Sequence, residues 1–379
     1  MKKELEIYIH IPFCVQKCRY CDFLSGPASS ETKAQYMDAL CQEIHGKSSL
    51  YKAYRVTSIF FGGGTPSCVE PETIAKVMML LKTHYHLSRD AEITMEMNPG
   101  TVDKNSLEVY YRAGINRLSI GLQSTRSEEL LVLGRIHSYE QFLKAYFTAR
   151  EIGFSNINVD LMSGLPKQTL ENYLETLCKV TALTPPPEHI SAYSLIVEEG
   201  TPFYEAYERD ELILPDEETD RAMYETTRTF LREKGYERYE ISNYAKTGYE
   251  CRHNIGYWQR KNYVGFGIGA ASLVENIRFR NGECLEKYLR DPCNCTTDVE
   301  ELSVREQMEE MMFLGLRMAE GVSLKAFHDT FGIRIDNIYG EVIEKHVREG
   351  LLCMDGKRLY LTLKGMDVSN YVMADFLEP

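Results

Sequence analysis

Two rhythms alternate along the first half of the chain. Stretches in which every second position is apolar, Glu4 to Ile11, Val56 to Phe61, Glu92 to Asn98, Arg117 to Gln123, Asn156 to Met162 and His189 to Leu195, predict six strands. Between them lie segments long enough for crossover helices. Ile74, Val77, Met78 and Leu81 share one face after Pro71, and Phe142, Ala145, Ala149 and Ile152 do so after Ser138. Gly114 and Gly153 follow helical patterns where C-terminal caps are expected. Repeated βα units of this kind predict a parallel sheet.

Successive side chains of a strand point to opposite faces, so each apolar set marks the face under the helices. Leu5, Ile7 and Ile9 oppose Tyr8 and His10; Ile93, Met95 and Met97 oppose Glu96 and Asn98. Likewise Leu118, Ile120 and Leu122 oppose Ser119, Gly121 and Gln123, while Ile157, Val159 and Leu161 oppose Asn158 and Asp160. The inner face is therefore polar. Its polar groups gather toward the strands' C-terminal ends, where parallel αβ barrels place their sites.

A Pro-rich stretch at Thr184 to Pro187 and a polar segment at Leu214 to Asp216 put a domain boundary near Pro215, dividing the chain into 1–215 and 216–379. Asp216 is a plausible N-cap for a helix to about Gly235, and further helices start near Ser303 and Ser323. A helix from Asp336 to Glu349, two short strands flanking Asp355-Gly356 and a last amphipathic helix resemble a winged-helix end over about 303–379.

The 379 residues carry a formal net charge of −13 with no long basic stripe, which disfavours binding to nucleic-acid phosphates. With no signal-peptide core at the start and no apolar run of membrane-spanning length, the chain reads as cytoplasmic. Eleven cysteines in such a chain point to free thiols or metal ligation rather than disulfides.

Cys14, Cys18 and Cys21 lie in one short loop after the first strand, close enough to hold three irons of a 4Fe-4S cubane. Zinc is the rival, but it would want a fourth ligand at a second knuckle. The other cysteines offer only Cys293-x-Cys295 as a fragment of one. With three protein thiolates, the fourth iron stays open to the amino and carboxylate groups of S-adenosylmethionine (SAM), and this spacing resembles the radical SAM superfamily motif. Phe61-Gly-Gly-Gly-Thr-Pro66, at the end of the second strand, lets backbone approach a ligand closely and resembles the superfamily's receiver of the methionine amino group, so Gly63, Gly64 and Thr65 are candidates.

Tyr8-Ile-His-Ile-Pro-Phe-Cys14, Glu96-Met-Asn-Pro99, Ser119-Ile-Gly-Leu-Gln123 and Asp160-Leu-Met-Ser-Gly-Leu-Pro166 narrow the likeness. Together they resemble the oxygen-independent coproporphyrinogen dehydrogenase family. That resemblance implies a partial (βα)6 barrel followed by a mainly helical C-terminal region, and two SAM sites. It assigns Tyr8, Gly63 and Glu96 to the cluster-bound SAM and Tyr20, Gly64, Thr65, Gln123, Arg135 and Asp160 to the second. For Arg135 a solvated helix-end charge is the other reading.

Two features separate the chain from the dehydrogenases. They carry a further cysteine two residues after the third ligand, where Phe23 stands here, and an N-terminal extension before the first strand. A third feature, His253-Asn-Ile-Gly-Tyr257-Trp258, resembles the HNxxYW signature of the family's heme chaperone branch. A His nitrogen can take an axial position on heme iron, and Tyr257 and Trp258 can flank the macrocycle; a hydrogen-bonded packing histidine is the alternative. His10 competes as a heme ligand or orients Tyr8. The resemblance thus implies a chaperone that binds heme and passes it to acceptors such as respiratory cytochromes, with peripheral membrane contact through them. The alternative is a porphyrin-directed dehydrogenase, and catalytic residues are left unassigned. A DNA-binding role for the winged-helix-like end rests on shape alone.

Overall fold

The computed structural model describes residues 2–377. All six expected strands are present: β1 (Lys3–Ile11), β2 (Tyr54–Gly63), β3 (Leu87–Met97), β4 (Arg117–Gln123), β5 (Ile157–Ser163) and β6 (His189–Ser194). They pair in sequence order and in parallel, with helices crossing between them. The two helices read from periodicity span Pro71–His84 and Tyr139–Ile152, the second opened by a Ser138/Gln141 capping box. Gly114 ends its helix at φ 97°, a left-handed conformation that costs glycine little.

Leu5, Ile7, Ile9, Leu118, Ile120 and Val159 are fully buried on the helix-facing side, as alternation requires. The sheet does not close. Past β6 come β7 (Glu237–Arg238) and β8 (Asn243–Ala245), with β8 antiparallel to β6; β9 (Tyr263–Phe266) pairs in parallel with the opposite edge, on β1. Strands β10 (Ala271–Val274), β11 (Ile277–Asn281) and β12 (Thr296–Glu301) extend that edge antiparallel, giving a twelve-stranded open sheet with β12 and β7 at its margins.

The boundary expected near Pro215 is not where the cores part. One core runs from Leu5 through Met223, Tyr244 and Phe266 to Tyr288, and a second joins Met312 to Phe376. Local turn signals at Pro215 could not reveal that β7 to β12 add to both edges of the first sheet, because strand pairing between distant segments leaves no local mark. In the second core, β13 (Val322–Ser323), β14 (Leu352–Met354) and β15 (Arg358–Leu361) pack with helices Leu324–Phe331 and Asp336–Arg348, the winged-helix-like arrangement.

Gly267, just past β9, packs closely on the end of β1. A Cβ there would lie 2.6 Å from the His10 carbonyl and 2.3 Å from the Tyr36 hydroxyl, so only glycine admits the contact. Its N–H donates to Glu43, a fully buried carboxylate that also accepts from Lys47, Asn281 and Tyr288. This satisfied network fastens helix Ser30–Lys47 to the β9–β11 edge.

Candidate functional site

At the C-terminal ends of the parallel strands lies a cavity of about 380 Å³. Its wall holds Cys14, Cys18 and Cys21 with Tyr20, Gly63, Gly64, Thr65, Glu96, Gln123, Arg135 and Asp160, so residues from six separate segments meet, Glu96, Gln123 and Asp160 from the inward strand positions. Tyr8 lies just beneath rather than on the wall. Its hydroxyl donates to His10 Nδ1 at 3.0 Å, and His10 Nε2–H donates to the Leu24 carbonyl of the cysteine loop, also at 3.0 Å. Both nitrogens of His10 are thereby used, and burial depresses its pKa. In this arrangement it orients Tyr8 and the loop.

The cavity fits a cluster that takes one thiolate per iron. All three thiols are free. Thr65 Oγ1 donates to Cys14 Sγ and Arg135 Nη1 to Cys18 Sγ, each at 3.6 Å, which would stabilise thiolate sulfur. Gly64 backs directly on the loop: a Cβ would come 2.6 Å from the Phe13 carbonyl and 3.0 Å from Cys14 Sγ.

Facing the thiols are two carboxylates, a guanidinium and an amide. Glu96 is pushed up to about 8 by burial and then by the Asp160 carboxylate, despite the Gly63 N–H and the Arg117 charge. Burial likewise raises Asp160 against hydrogen bonds from Asn158 and Ser191. Arg135 leaves Nε unpaired, while its Nη2 donates to the Gly121 carbonyl. Gln123 holds a left-handed φ of 72°, a costly conformation for a side chain other than glycine, and accepts a 2.8 Å hydrogen bond from Tyr193. Paired carboxylates opposite a guanidinium can receive a zwitterion with an added sulfonium charge. Tyr193 escaped the sequence reading, although the parity of β6 puts it on the inner face.

The HNxxYW residues sit at the other end of the sheet. They form the short helix Arg252–Trp258, seated on the N-terminal halves of β1, β2 and β3. Glu92 of β3 holds the helix start: its two carboxylate oxygens accept from the Arg252 and His253 backbone N–H groups at 3.1 and 3.2 Å. Gly256 makes room for Glu6, whose carboxylate would lie 1.9 Å from a Cβ there. His253 is 1% exposed, with Nδ1 2.8 Å from Ser58 Oγ and Nε2 3.0 Å from the Tyr257 hydroxyl. Burial, aided by the Arg117 charge, lowers its pKa to about 3, so the ring is neutral. Tyr257 and Trp258 are half-buried, and the Arg317 guanidinium lies 4.4 Å from the Trp258 ring centre. The structure thus keeps His253 and the cysteines at opposite ends of one interior and brings His10, not His253, beside the cysteine loop.

Residues 8–178 match the Radical SAM superfamily model and residues 302–368 the HemN C-terminal domain. The chain is 37% identical over 374 residues to the heme chaperone HemW of Bacillus subtilis (strain 168), covering 98% of each protein. The chain belongs to the heme chaperone HemW family. A second HemW, from Escherichia coli (strain K12), is 41% identical over 271 residues, 71% of this chain and 70% of that one. Coproporphyrinogen III oxidase (HemN) from Escherichia coli shares the fold, with a TM-score of 0.87 over 99% of this chain and 90% of that one at 24% identity. As a radical SAM member, this HemW-family chain takes a 4Fe-4S cluster and SAM as cofactors. No helix among the described residues is long and apolar enough to cross a membrane.

Proposed function

We propose that this chain binds heme and delivers it to acceptor hemoproteins. The observation that carries the reading is the full-length likeness to proteins named heme chaperone HemW, joined to Phe23 at the position where the resembling dehydrogenases carry a further cysteine. Phe23 stands 62% exposed at the cavity mouth, with Val15 and Ile196 also largely exposed. Cys14, Cys18 and Cys21 would hold the cluster. Tyr8, Gly63 and Glu96 would serve its SAM, and Tyr20, Gly64, Thr65, Gln123, Arg135 and Asp160 a second one. When bound, the cluster supplies an electron for cleaving the sulfonium. The chain's own residues position the ligand: Glu96 and Asp160 take up positive charge, and Arg135 takes up a carboxylate.

His253 is our heme ligand, with Tyr257 and Trp258 beside it. The geometry makes the described state a masked one, because iron reaches Nε2 only once the Tyr257 hydroxyl gives it up. A neutral imidazole is already in the protonation state that iron requires. We place the work in the cytoplasm, with respiratory cytochromes among the acceptors and membrane contact only through them. Anaerobic incubation with coproporphyrinogen III, reductant and SAM is expected to give no catalytic yield of protoporphyrinogen; turnover at catalytic rates would transfer the chain to the dehydrogenase reading.

A further inference from the structure

Between the cysteine loop and the HNxxYW helix the interior is filled by a continuous column of rings. His10 carries the loop on its Nε2–H and accepts from Tyr8 on its Nδ1. The Tyr8 ring lies nearly parallel to Phe60, with centroids 6.4 Å apart and planes 25° apart. Phe60 in turn stacks on His253 at 5.1 Å and 25°, and His253 meets the edge of Tyr257 at 4.7 Å and 72°. The glycine run makes space for this column as well as for a ligand. A Cβ on Gly62 would press to 3.0 Å on both Phe60 and Tyr8, and one on Gly63 would reach 2.7 Å from the His10 ring.

We propose that Phe60 is a positioning residue that couples the SAM site at the top of the sheet to the heme-binding histidine at its floor. The inference rests on the heme reading for His253. Its direction follows from the contacts. SAM seated against Tyr8 and the cysteine loop fixes the upper rings, and an ordered Tyr8–Phe60 pair favours His253 in its stacked, masked position. Heme ligation pulls on the same ring from below and costs it that stack. SAM therefore favours release of heme, and heme disfavours SAM by the same factor, since linkage is reciprocal. Packed rings of this kind have discrete arrangements rather than a continuum, which lets a contact at one end be felt at the other.

The experiment uses the full chain with its cluster reconstituted anaerobically, and titrates heme by its Soret band with and without saturating SAM. In the wild type SAM is expected to raise the heme Kd by about fivefold or more, and heme to raise the SAM Kd equally. Phe60→Leu keeps an apolar side chain but removes the ring, and should bring both ratios within about twofold of one while iron content stays unchanged. Phe60→Tyr keeps the stack and should retain the ratio. Gly62→Ala, which wedges Phe60 from Tyr8, should abolish it even if the leucine variant misfolds. A wild-type ratio of one or below, or wild-type ratios in both disrupted variants, overturns the proposal. If the wild type binds no heme, the chaperone reading fails, and the column is judged in heme-free protein. There His253→Ala should shift SAM affinity by about threefold in the Phe60 background and not in the Phe60→Leu background, as coupled and uncoupled sites differ. An unchanged SAM affinity in His253→Ala overturns the column on its own.

Discussion

The two ends of the sheet are built from the same kinds of residue, but their histidine and guanidinium are used differently. At the top, Glu96 and Asp160 are half-buried carboxylates held above their ordinary range, Arg135 has an idle Nε, and glycines replace side chains. At the floor, Glu92 caps a helix with both oxygens and His253 spends both nitrogens on hydroxyls, while Glu6 beside them keeps one oxygen without a partner. An unmet charge in a cavity is free energy reserved for a ligand, whereas a met hydrogen bond must be surrendered before a ligand can take its place. The top is poised to receive and the floor to exchange.

The comparison breaks most visibly at the thiols. Cys14→Ala should take reconstituted iron from about four per chain to near none, measured by iron and sulfide content, while the far-ultraviolet spectrum stays that of the wild type. At the floor the expected loss is stability. His253→Ala removes two hydrogen bonds and a stacked ring from a closed space and should cost roughly 3 kcal/mol in denaturant unfolding of the cofactor-free chain. Retained stability would mean that the floor is looser than its contacts imply. Glu92→Gln should cost less, about 1 kcal/mol, since one cap oxygen survives as an amide carbonyl.

The top should answer a similar change with the opposite sign. A carboxyl whose folded pKa is raised from its usual 4.5 to about 8 carries a cost of ionisation that grows as pH climbs from the lower value to the higher. Glu96→Gln should therefore gain stability over the wild type across that window, by at least about 1 kcal/mol at pH 8 in the cofactor-free chain, and the gain should vanish below pH 4. The same substitution should weaken SAM, and the wild type's SAM affinity should climb between pH 6.5 and 8.5 as Glu96 loses its proton, with Asp160 and Arg117 the charges that act on it. A pH-independent affinity in the wild type would remove Glu96 from the ligand.

Much of this was legible from period two. Parity alone put Tyr8, His10, Glu96, Gln123 and Asp160 on the inner face, and the caps at Ser138 and Asp216 located helix starts that the structure retains. Parity also marks Glu92 and Phe60 as inward, yet nothing local distinguishes a carboxylate that waits for a ligand from one that caps a helix 160 residues later in the chain. The HNxxYW segment was recognised by its residues, but its seat on the N-terminal halves of β1 to β3 is set by packing between segments about 190 residues apart. For the same reason the edge strands β7 to β12 left no sign at Pro215.

The most direct measurement is a heme titration of three reconstituted chains, wild type, His253→Ala and Cys14→Ala, followed at the Soret band. One heme per chain in the wild type, at least tenfold weaker binding in His253→Ala and one heme still bound by Cys14→Ala would show a floor site separate from the cluster. Equal binding by wild type and His253→Ala, or heme lost with Cys14, would contradict it.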